Sequence, residues 1–196
     1  RLHTNLPYIP TDERNLVYKA AQLLMDEFHI RRGLRIDLQK FIPVSAGMAG
    51  GSSDAAATLV AVNRLFHLRL TKRELMQRGL AIGADVPYCV MRGTALAEGI
   101  GEKLTMLPAA PDCYVLVGKP ALNVSTRQAY ESLRLSEITG HPDICALAQA
   151  IRDNDLSAMI PHMKNVFEPG LTRENPVIGQ IKDLMLENGA FHAMMS

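Results

Sequence analysis

The stretch IPVSAGMAGGSSDAAATL, residues 42–59, has the composition of a main-chain site for anions. Gly47, Gly50 and Gly51 let the backbone approach a ligand closely, and two serines after them add hydroxyl groups. An alanine-rich helix is predicted to follow, and the free N–H groups at a helix start attract anions. We therefore expect this loop to cradle phosphate groups. The alternative is a glycine-rich turn that serves tight packing alone.

The loop differs from the two commonest phosphate motifs. A Walker A motif requires a lysine directly before its serine or threonine, and no lysine precedes Ser52. The glycines do not form a dinucleotide-binding fingerprint either. Asp54 follows in the first turn of the predicted helix. With its side chain turned outward, we expect this carboxylate to favour the helix dipole.

Asp85, in the sequence GADVP, is the candidate general base. It lies in an apolar neighbourhood at a predicted helix-to-strand transition, where a carboxylate can accept the proton of an attacking hydroxyl. The alternative is a turn aspartate whose side chain bonds to the next backbone N–H groups.

Composition places the chain among ordinary globular proteins. Of its 196 residues, 47% are hydrophobic and 21% are charged, and the net charge of +1 favours neither nucleic acid nor a membrane surface. No apolar run approaches the roughly 18 residues of a membrane span, and we find no signal peptide. Cys89, Cys113 and Cys145 are predicted to be buried thiols in a reducing cytosol, and no histidine lies at zinc-ligand spacing with a cysteine.

Hydrophobic periodicity predicts the elements that position these residues in the first half of the chain. Successive helices, strands and caps are expected as follows: a helix capped at Thr11 and running to Phe28, a strand over 34–38, a helix over 55–66, a helix opened by a Thr71–Glu74 capping box and ending near Gly83, and two strands within 84–104 joined at Arg92-Gly93.

PAAPD, residues 108–112, is the predicted boundary between two domains, 1–110 and 111–196. Beyond it we expect a strand over 114–117 and four helices: one from Ser125 or Thr126 through 133, and others at 143–152, 156–163 and 176–187. The mixed order predicts an α+β fold and does not favour an all-parallel sheet. The chain starts at Arg1 without methionine and stops in the apolar run AFHAMMS, which is typical of an unfinished strand, so we expect a fragment of a longer protein.

The segment PVSAGMAGGSSDAA resembles the second motif of the GHMP kinases. Further segments, RNLVYKAAQLL, GADVPYCV, GTALAEGIGEKL and KPALNVSTRQAYESL, are similar to the branch of that family that serves non-mevalonate isoprenoid biosynthesis. The resemblance runs over nearly all of the chain. It implies a ribosomal-S5-like N-terminal domain followed by a ferredoxin-like C-terminal domain, both truncated here.

The resemblance also implies an activity: transfer of the γ-phosphoryl group of ATP, with Mg²⁺, to the tertiary 2-hydroxyl of 4-diphosphocytidyl-2-C-methyl-D-erythritol. Asp85 matches the catalytic aspartate of the family. Thr126 and Tyr130 match substrate positions, with Tyr130 on cytosine. The positions that match nucleotide contacts are Asn15, Lys40, Pro43, Val44, Ser45, Ala46, Gly47, Met48, Ala49, Gly50, Gly51, Ser52, Ser53 and Asp54.

Without the resemblance, Tyr130 is predicted to be a core aromatic residue and Lys40 a solvated lysine at a strand end. The chain also departs from the family pattern. A PAKxN segment with the catalytic lysine and a GYH segment are absent before Arg1, and the third motif, GSGPT, would begin where Ser196 ends the chain. We therefore assign the catalytic lysine and the Mg²⁺ ligands to no residue.

Two alternative functions remain open at this point. One is another GHMP kinase, of the mevalonate or homoserine type, against which Tyr130 and GADVPYCV argue. The other is a non-catalytic nucleotide- or RNA-binding domain of the S5-like fold. The near-neutral charge disfavours RNA, because affinity for phosphate backbones depends on clustered Lys and Arg. We expect a cytoplasmic protein with a small-molecule substrate, as a monomer or a homodimer.

Overall fold

A computed structural model describes residues 1–122, 126–134, 138 and 140–196. The chain forms two compact units, one made of residues 1–44 and 48–106 and the other of residues 45–47 and 107–196. The elements of the first part of the chain are β1 (Leu2–Thr4), α1 (Leu16–Glu27), β2 (Ile36–Leu38), α2 (Gly50–Leu65), α3 (Lys72–Leu80), α4 (Val86–Met91), β3 (Thr94–Glu98) and β4 (Lys103–Leu107). Those of the second part are α5 (Thr126–Ser132), α6 (Ile144–Arg152), α7 (Leu156–Met159), a 3₁₀ turn (Ile160–His162), α8 (Glu168–Glu174) and α9 (Pro176–Glu187).

The core of the first unit is built on α1 and α2, which pack against each other. Ala20 and Ala21 of α1 and Ala55 and Ala56 of α2 are all at most 6% exposed and belong to one apolar cluster. Alanine allows two helices to approach closely and is also the best helix former. These side chains therefore set where α2 lies.

Helix α4 is held in the same cluster by Val86, which is fully buried. A Cβ atom on Gly79 of α3 would lie 2.8 Å from Cγ1 of Val86, so α3 accepts α4 at this distance because residue 79 is glycine. The residue before Val86 is Asp85. Its backbone is thereby fixed relative to α2 and α3.

Helix caps agree with the sequence at one position and differ at another. The predicted capping box is confirmed: the Thr71 hydroxyl accepts from the Glu74 N–H, and the Glu74 carboxylate accepts from the Thr71 N–H. The predicted cap at Thr11 is wrong, because α1 begins at Leu16 with Asn15 as its cap. The side-chain oxygen of Asn15 accepts from Val17 N–H at 2.9 Å.

The prediction of two strands joined at Arg92-Gly93 is also wrong. Residues 86–91 form α4, and the two strands that pair are β3 and β4, joined by Gly99–Glu102. Pro87 lies in the first turn of α4, where its missing N–H costs nothing, and the buried residues Val86 and Val90 are four apart, as on a helix. Gly99 and Gly101 supply the positive φ values (72° and 107°) that the β3–β4 turn requires.

In the second unit, the predicted strand over 114–117 is absent. Tyr114, Val115 and Leu116 are at least 77% exposed and pair with no strand in the described part of the chain. A β-branched sequence forms a strand only when a partner is available, and the segment AFHAMMS likewise forms none. Helix α9 has the predicted bounds. Ser125, one of the two predicted caps of α5, lies outside the described residues.

The parallel pair β1–β2 was predicted only in its second strand. Leu2 pairs with Ile36, and Thr4 with Leu38, so the two strands run side by side from their first residues. A strand of three residues has too few positions to show an alternating pattern in sequence. This pair matters because the chain leaving β2 continues through residues 39–42 into the glycine loop.

The three cysteines do not share the predicted burial. Cys89 is half-buried on α4, whereas Cys113 and Cys145 are exposed, and all three are free thiols. Burial raises the pKa of the Cys89 thiol, and the nearby Asp85 carboxylate raises that pKa further. No helix in the described ranges combines the length and apolar character that a membrane crossing demands.

Glu27 at the end of α1 and Arg78 of α3 form a two-pronged ion pair, with N–O distances of 2.8 and 2.5 Å. The Arg78 guanidinium lowers the pKa of Glu27 below its ordinary value of 4.5. A lowered carboxyl pKa stabilises the fold fully above the unfolded pKa, and this stabilisation disappears as the pH falls through the folded pKa.

We therefore predict that Glu27→Gln lowers the free energy of unfolding by about 1 kcal/mol or less at pH 7, the range for partly exposed pairs. The difference from the unchanged protein should decrease as the pH falls below 4.5 and disappear once the pH is below the lowered pKa of Glu27. Urea unfolding of both proteins at several pH values measures it. A difference that is constant with pH would mean that the lost contact is one of packing and not of charge.

Candidate active site

Helix α2 starts without a side-chain cap. Ala49 precedes it in the left-handed backbone region, at φ 47° and ψ 27°, and its methyl side chain cannot accept a hydrogen bond. The Ser53 N–H bonds to the Ala49 carbonyl at 2.8 Å. The N–H groups of Gly50, Gly51 and Ser52 precede that bond and have no acceptor among the described residues. They form the positive end of a helix of 16 residues.

The backbone before α2 is left-handed at every second residue. The φ values are 54° at Ser45, 69° at Gly47 and 47° at Ala49. A left-handed residue beside a right-handed one turns successive N–H groups towards one side, a recurring geometry for binding anions, and Ala49 stands in this relation to the first residue of α2. Two of the three positions are not glycine, so the loop holds them in an unfavourable conformation.

The first two residues of α2, Gly50 and Gly51, differ in how closely their surroundings pack against them. A Cβ on Gly50 would lie 2.9 Å from Cγ2 of Ile42 and 3.1 Å from Nζ of Lys40, so the chain before the loop leaves no space there. A Cβ on Gly51 would meet one atom, Cδ1 of Leu16, at an ordinary 3.4 Å. Close packing therefore accounts for glycine at 50, whereas packing does not require it at 51.

Lys40 and Asp54 form an ion pair at the base of the loop. Nζ of Lys40 donates to Oδ2 of Asp54 at 2.6 Å, and the two side chains are only 6% and 21% exposed. Two expectations are thus wrong: Lys40 is not a solvated lysine, and the Asp54 carboxylate does not point outward. Because both side chains are largely withdrawn from water, each charge is compensated by the other and not by solvent.

Asn5 holds the backbone of Lys40. Its side-chain oxygen accepts from the Lys40 N–H at 2.8 Å, and its amide nitrogen donates to the Lys40 carbonyl at 3.1 Å. Sequence reasoning missed Asn5, because a single asparagine in a polar segment has no periodic signal. A prediction of β1 would have placed Asn5 at the end of a strand, and this position would have indicated its role.

The Asp85 carboxylate is free. Asp85 occupies the position before α4 with helical φ and ψ values (−84° and −13°), and its side chain makes no capping hydrogen bond. It is exposed and has no partner within the described residues. The alternative of a turn aspartate bonded to the following N–H groups is therefore wrong. What the structure offers here is an available proton acceptor on a fixed backbone.

Residues 15–93, which contain the loop, the ion pair's Asp54 and Lys40, and Asp85, match the model of the GHMP kinases N terminal domain. Over 196 residues the chain is 53% identical to 4-diphosphocytidyl-2-C-methyl-D-erythritol kinase of Lachnospira eligens, covering all of this chain and 68% of that protein. The enzyme of the same name from Lachnoclostridium phytofermentans is 51% identical over 195 residues, with 100% and 67% covered.

The chain belongs to the GHMP kinase family, among the 4-diphosphocytidyl-2-C-methyl-D-erythritol kinases. A crystal structure of 4-(cytidine 5'-diphospho)-2C-methyl-D-erythritol kinase is similar at a TM-score of 0.77 and 30% identity, covering all of this chain and 69% of that one. Homoserine kinase from Cytophaga hutchinsonii has the same TM-score, 0.77, at 21% identity, with 97% and 66% covered, and shares the fold. The predicted α+β GHMP kinase fold is confirmed.

Asn15, which matches a nucleotide contact of the family, has a structural role in this chain. Asn15 is 8% exposed, caps α1 through its oxygen and donates to the Pro10 carbonyl at 2.7 Å. Both ends of its amide are therefore engaged inside the protein. Contact between Asn15 and a nucleotide stays a prediction.

Tyr130 lies on α5 and is 65% exposed, so the prediction of a core aromatic residue is wrong. Its ring packs edge-on against Phe167, with 5.0 Å between centroids. Phe167 was not singled out by sequence reasoning, and most of Tyr130 stays exposed despite this contact. Thr126 is the first residue of α5, and its side chain lies outside what the structure describes.

We predict that Gly50→Val weakens binding of a non-hydrolysable ATP analogue by at least tenfold, because the added atoms collide with Ile42 and Lys40 and displace the start of α2. Calorimetric titration measures the affinity. Gly51→Ala is the matched control for folding, since its methyl group meets only ordinary contacts. Wild-type affinity in Gly50→Val would mean that the anion site does not depend on this packing.

Proposed function

We propose that this chain phosphorylates the 2-hydroxyl of 4-diphosphocytidyl-2-C-methyl-D-erythritol with ATP. The observation that carries the proposal is the 53% identity, over the whole chain, to a kinase named for that substrate. The uncapped start of α2 and the free Asp85 carboxylate supply the two chemical functions that phosphoryl transfer needs, a place for phosphates and a proton acceptor.

The ATP phosphates are proposed to bind at the start of α2. The N–H groups of Gly50, Gly51 and Ser52 would donate to phosphate oxygens, with the positive end of the helix behind them. The pairing of Asp54 with Lys40 keeps the nearest carboxylate from repelling a phosphate. The remaining loop positions, Pro43 to Ala49, would surround the phosphates with backbone.

Mg²⁺ is the metal that the family implies. The Ser52 hydroxyl, in the first turn of α2, has no hydrogen-bond partner among the described residues, and a hydroxyl oxygen is a ligand that Mg²⁺ accepts. Ser53 is unsuited, because its hydroxyl donates to the Gly50 carbonyl at 2.9 Å. We propose that Ser52 would hold the ion, which, when bound with ATP, neutralises charge on the phosphates.

Asp85 is proposed as the general base. The acceptor is a tertiary alcohol with a high pKa, which stays protonated at neutral pH. As its oxygen bonds to the γ-phosphorus, the bond from that phosphorus to the bridging oxygen of ADP breaks, and the hydroxyl proton passes to the Asp85 carboxylate. The carboxylate is exposed, without a competing hydrogen bond to a described residue, so it can receive that proton.

We predict that Asp85→Asn lowers kcat by roughly 10²- to 10⁴-fold, the usual contribution of a positioned base. The KM for ATP should change little, because the shape and polarity of the side chain are kept. Steady-state kinetics of the full-length protein measure both. Asp26→Asn, which changes an exposed carboxylate bonded to Gln22, is the control that should keep wild-type kcat. More than about a tenth of wild-type kcat in Asp85→Asn would contradict the role of base.

On the substrate side, we propose that the exposed ring of Tyr130 stacks on cytosine and that Thr126 lies near it. The alternative acceptors, mevalonate and homoserine, have no base to stack. Identity to the homoserine kinase structure is 21% and carries the fold alone. We place the reaction in the cytoplasm, where ATP is available.

Tyr130→Ala should weaken the cytidylated substrate by about 1–3 kcal/mol, the range for stacking of a base on an aromatic ring. Tyr130→Phe keeps the ring and its contact with Phe167, and should retain most of the affinity. Competition binding with cytidine diphosphate measures the loss, and the ATP analogue should bind all three proteins equally. An equal loss for both ligands in Tyr130→Ala would assign the residue to support of its own unit.

A further inference from the structure

Asn5 extends the pairing of β1 and β2 beyond the last paired residues. The Asn5 N–H donates to the Leu38 carbonyl at 3.3 Å, as a strand residue would. Two residues further along the chain, past the end of β2, the side-chain amide takes over and bonds to both the N–H and the carbonyl of Lys40, at 2.8 and 3.1 Å. Both main-chain groups of Lys40 are thus satisfied by one side chain.

The clamped residue carries the ion pair of the loop. Fourteen positions separate Lys40 from Asp54, and the whole phosphate loop lies between them. The bond between Nζ and Oδ2, at 2.6 Å, closes that segment at its base. The same ammonium group lies where a Cβ on Gly50 would be 3.1 Å away, beside the first residue of α2. A shift of the Lys40 backbone therefore moves its ammonium group, which lies beside the free N–H groups at the start of α2.

We propose that Asn5 is a positioning residue for ATP, acting through Lys40 and Asp54 without touching the nucleotide. The inference rests on the proposed function, because it concerns the same phosphate loop. A partly buried ion pair gains little unless its geometry is exact and its remaining polar groups are bonded. Asn5 meets this requirement because it fixes the Lys40 backbone, and with it the geometry of the ion pair, before any ligand binds.

The chain contains a matched control. Asn63 of α2 makes the same double bond to a backbone: its amide nitrogen donates to the Leu70 carbonyl and its oxygen accepts from the Leu70 N–H, both at 3.0 Å. Asn63 and Leu70 lie at the far end of α2 from the loop, and neither bonds to Lys40 or Asp54. Asn63→Ala therefore removes an equivalent pair of hydrogen bonds without affecting the ion pair.

The test compares Asn5→Ala with Asn63→Ala in the full-length protein. Both should lower the melting temperature, because each loses two hydrogen bonds. Only Asn5→Ala should raise the KM for ATP, by roughly fivefold or more, with kcat and the KM for the cytidylated substrate near wild type. In a Lys40→Met background the Asn5→Ala effect on ATP should largely vanish, because the two residues act in series. Equal KM values for ATP in Asn5→Ala and Asn63→Ala would overturn the proposal.

Hydrogen exchange separates this inference from the proposed function. Without any ligand, peptides covering residues 43–53 should exchange faster in Asn5→Ala than in Asn63→Ala or wild type. If wild type transfers no phosphate, the proposed function fails, while faster exchange in Asn5→Ala alone still supports the clamp. Equal exchange in the two variants overturns it. Should Asn5→Ala not fold, Asn5→Asp, which keeps an acceptor for the Lys40 N–H and loses the donor, replaces it with the same expected results.

Discussion

Close packing of α2 on α1 is the constraint on which the first unit depends. The helices meet through alanines that are almost completely buried, so larger side chains have no space there. Because α2 cannot shift sideways, the position of its first residue is determined by the core. The start of this helix is then a rigid platform, and the loop before it needs only a few local contacts to present its N–H groups in one direction.

Charge near that platform is arranged in a compensated way. Asp54, the fifth residue of α2, has a charge that suits the positive end of the helix dipole but is unfavourable for a neighbouring phosphate. Lys40 resolves the conflict by neutralising the carboxylate at contact distance while its own ammonium remains beside Gly50. Pairs of this kind contribute little net stability once the cost of removing both charges from water is included. Their value is that they fix geometry without leaving a net charge at the site.

Sequence reasoning succeeded where the signal is local. The capping box at Thr71 and Glu74, the bounds of α9 and the family motifs depend on neighbouring residues, and the structure agrees with the first two. It failed where the outcome depends on distant partners. Tyr114 to Val117 has strand composition but no partner strand among the described residues, and residues 86–91 are helical although their apolar content suited a strand. The bond from Lys40 to Asp54 joins residues 14 positions apart, and the bonds from Asn5 to the Lys40 backbone join residues 35 positions apart. No periodic pattern in the sequence predicts such contacts.

The unequal exposure of the three thiols gives the protein an internal reporter. Cys113 and Cys145 are exposed, while Cys89 is half-buried on α4, packed against the core cluster, with a raised pKa. An alkylating reagent should consume the two exposed thiols first and modify the half-buried third more slowly, at a rate that rises when α4 leaves the core. Because α4 begins directly after Asp85, an increase in the rate of that last modification reports opening of the backbone that carries the proposed base, separately from unfolding of the second unit.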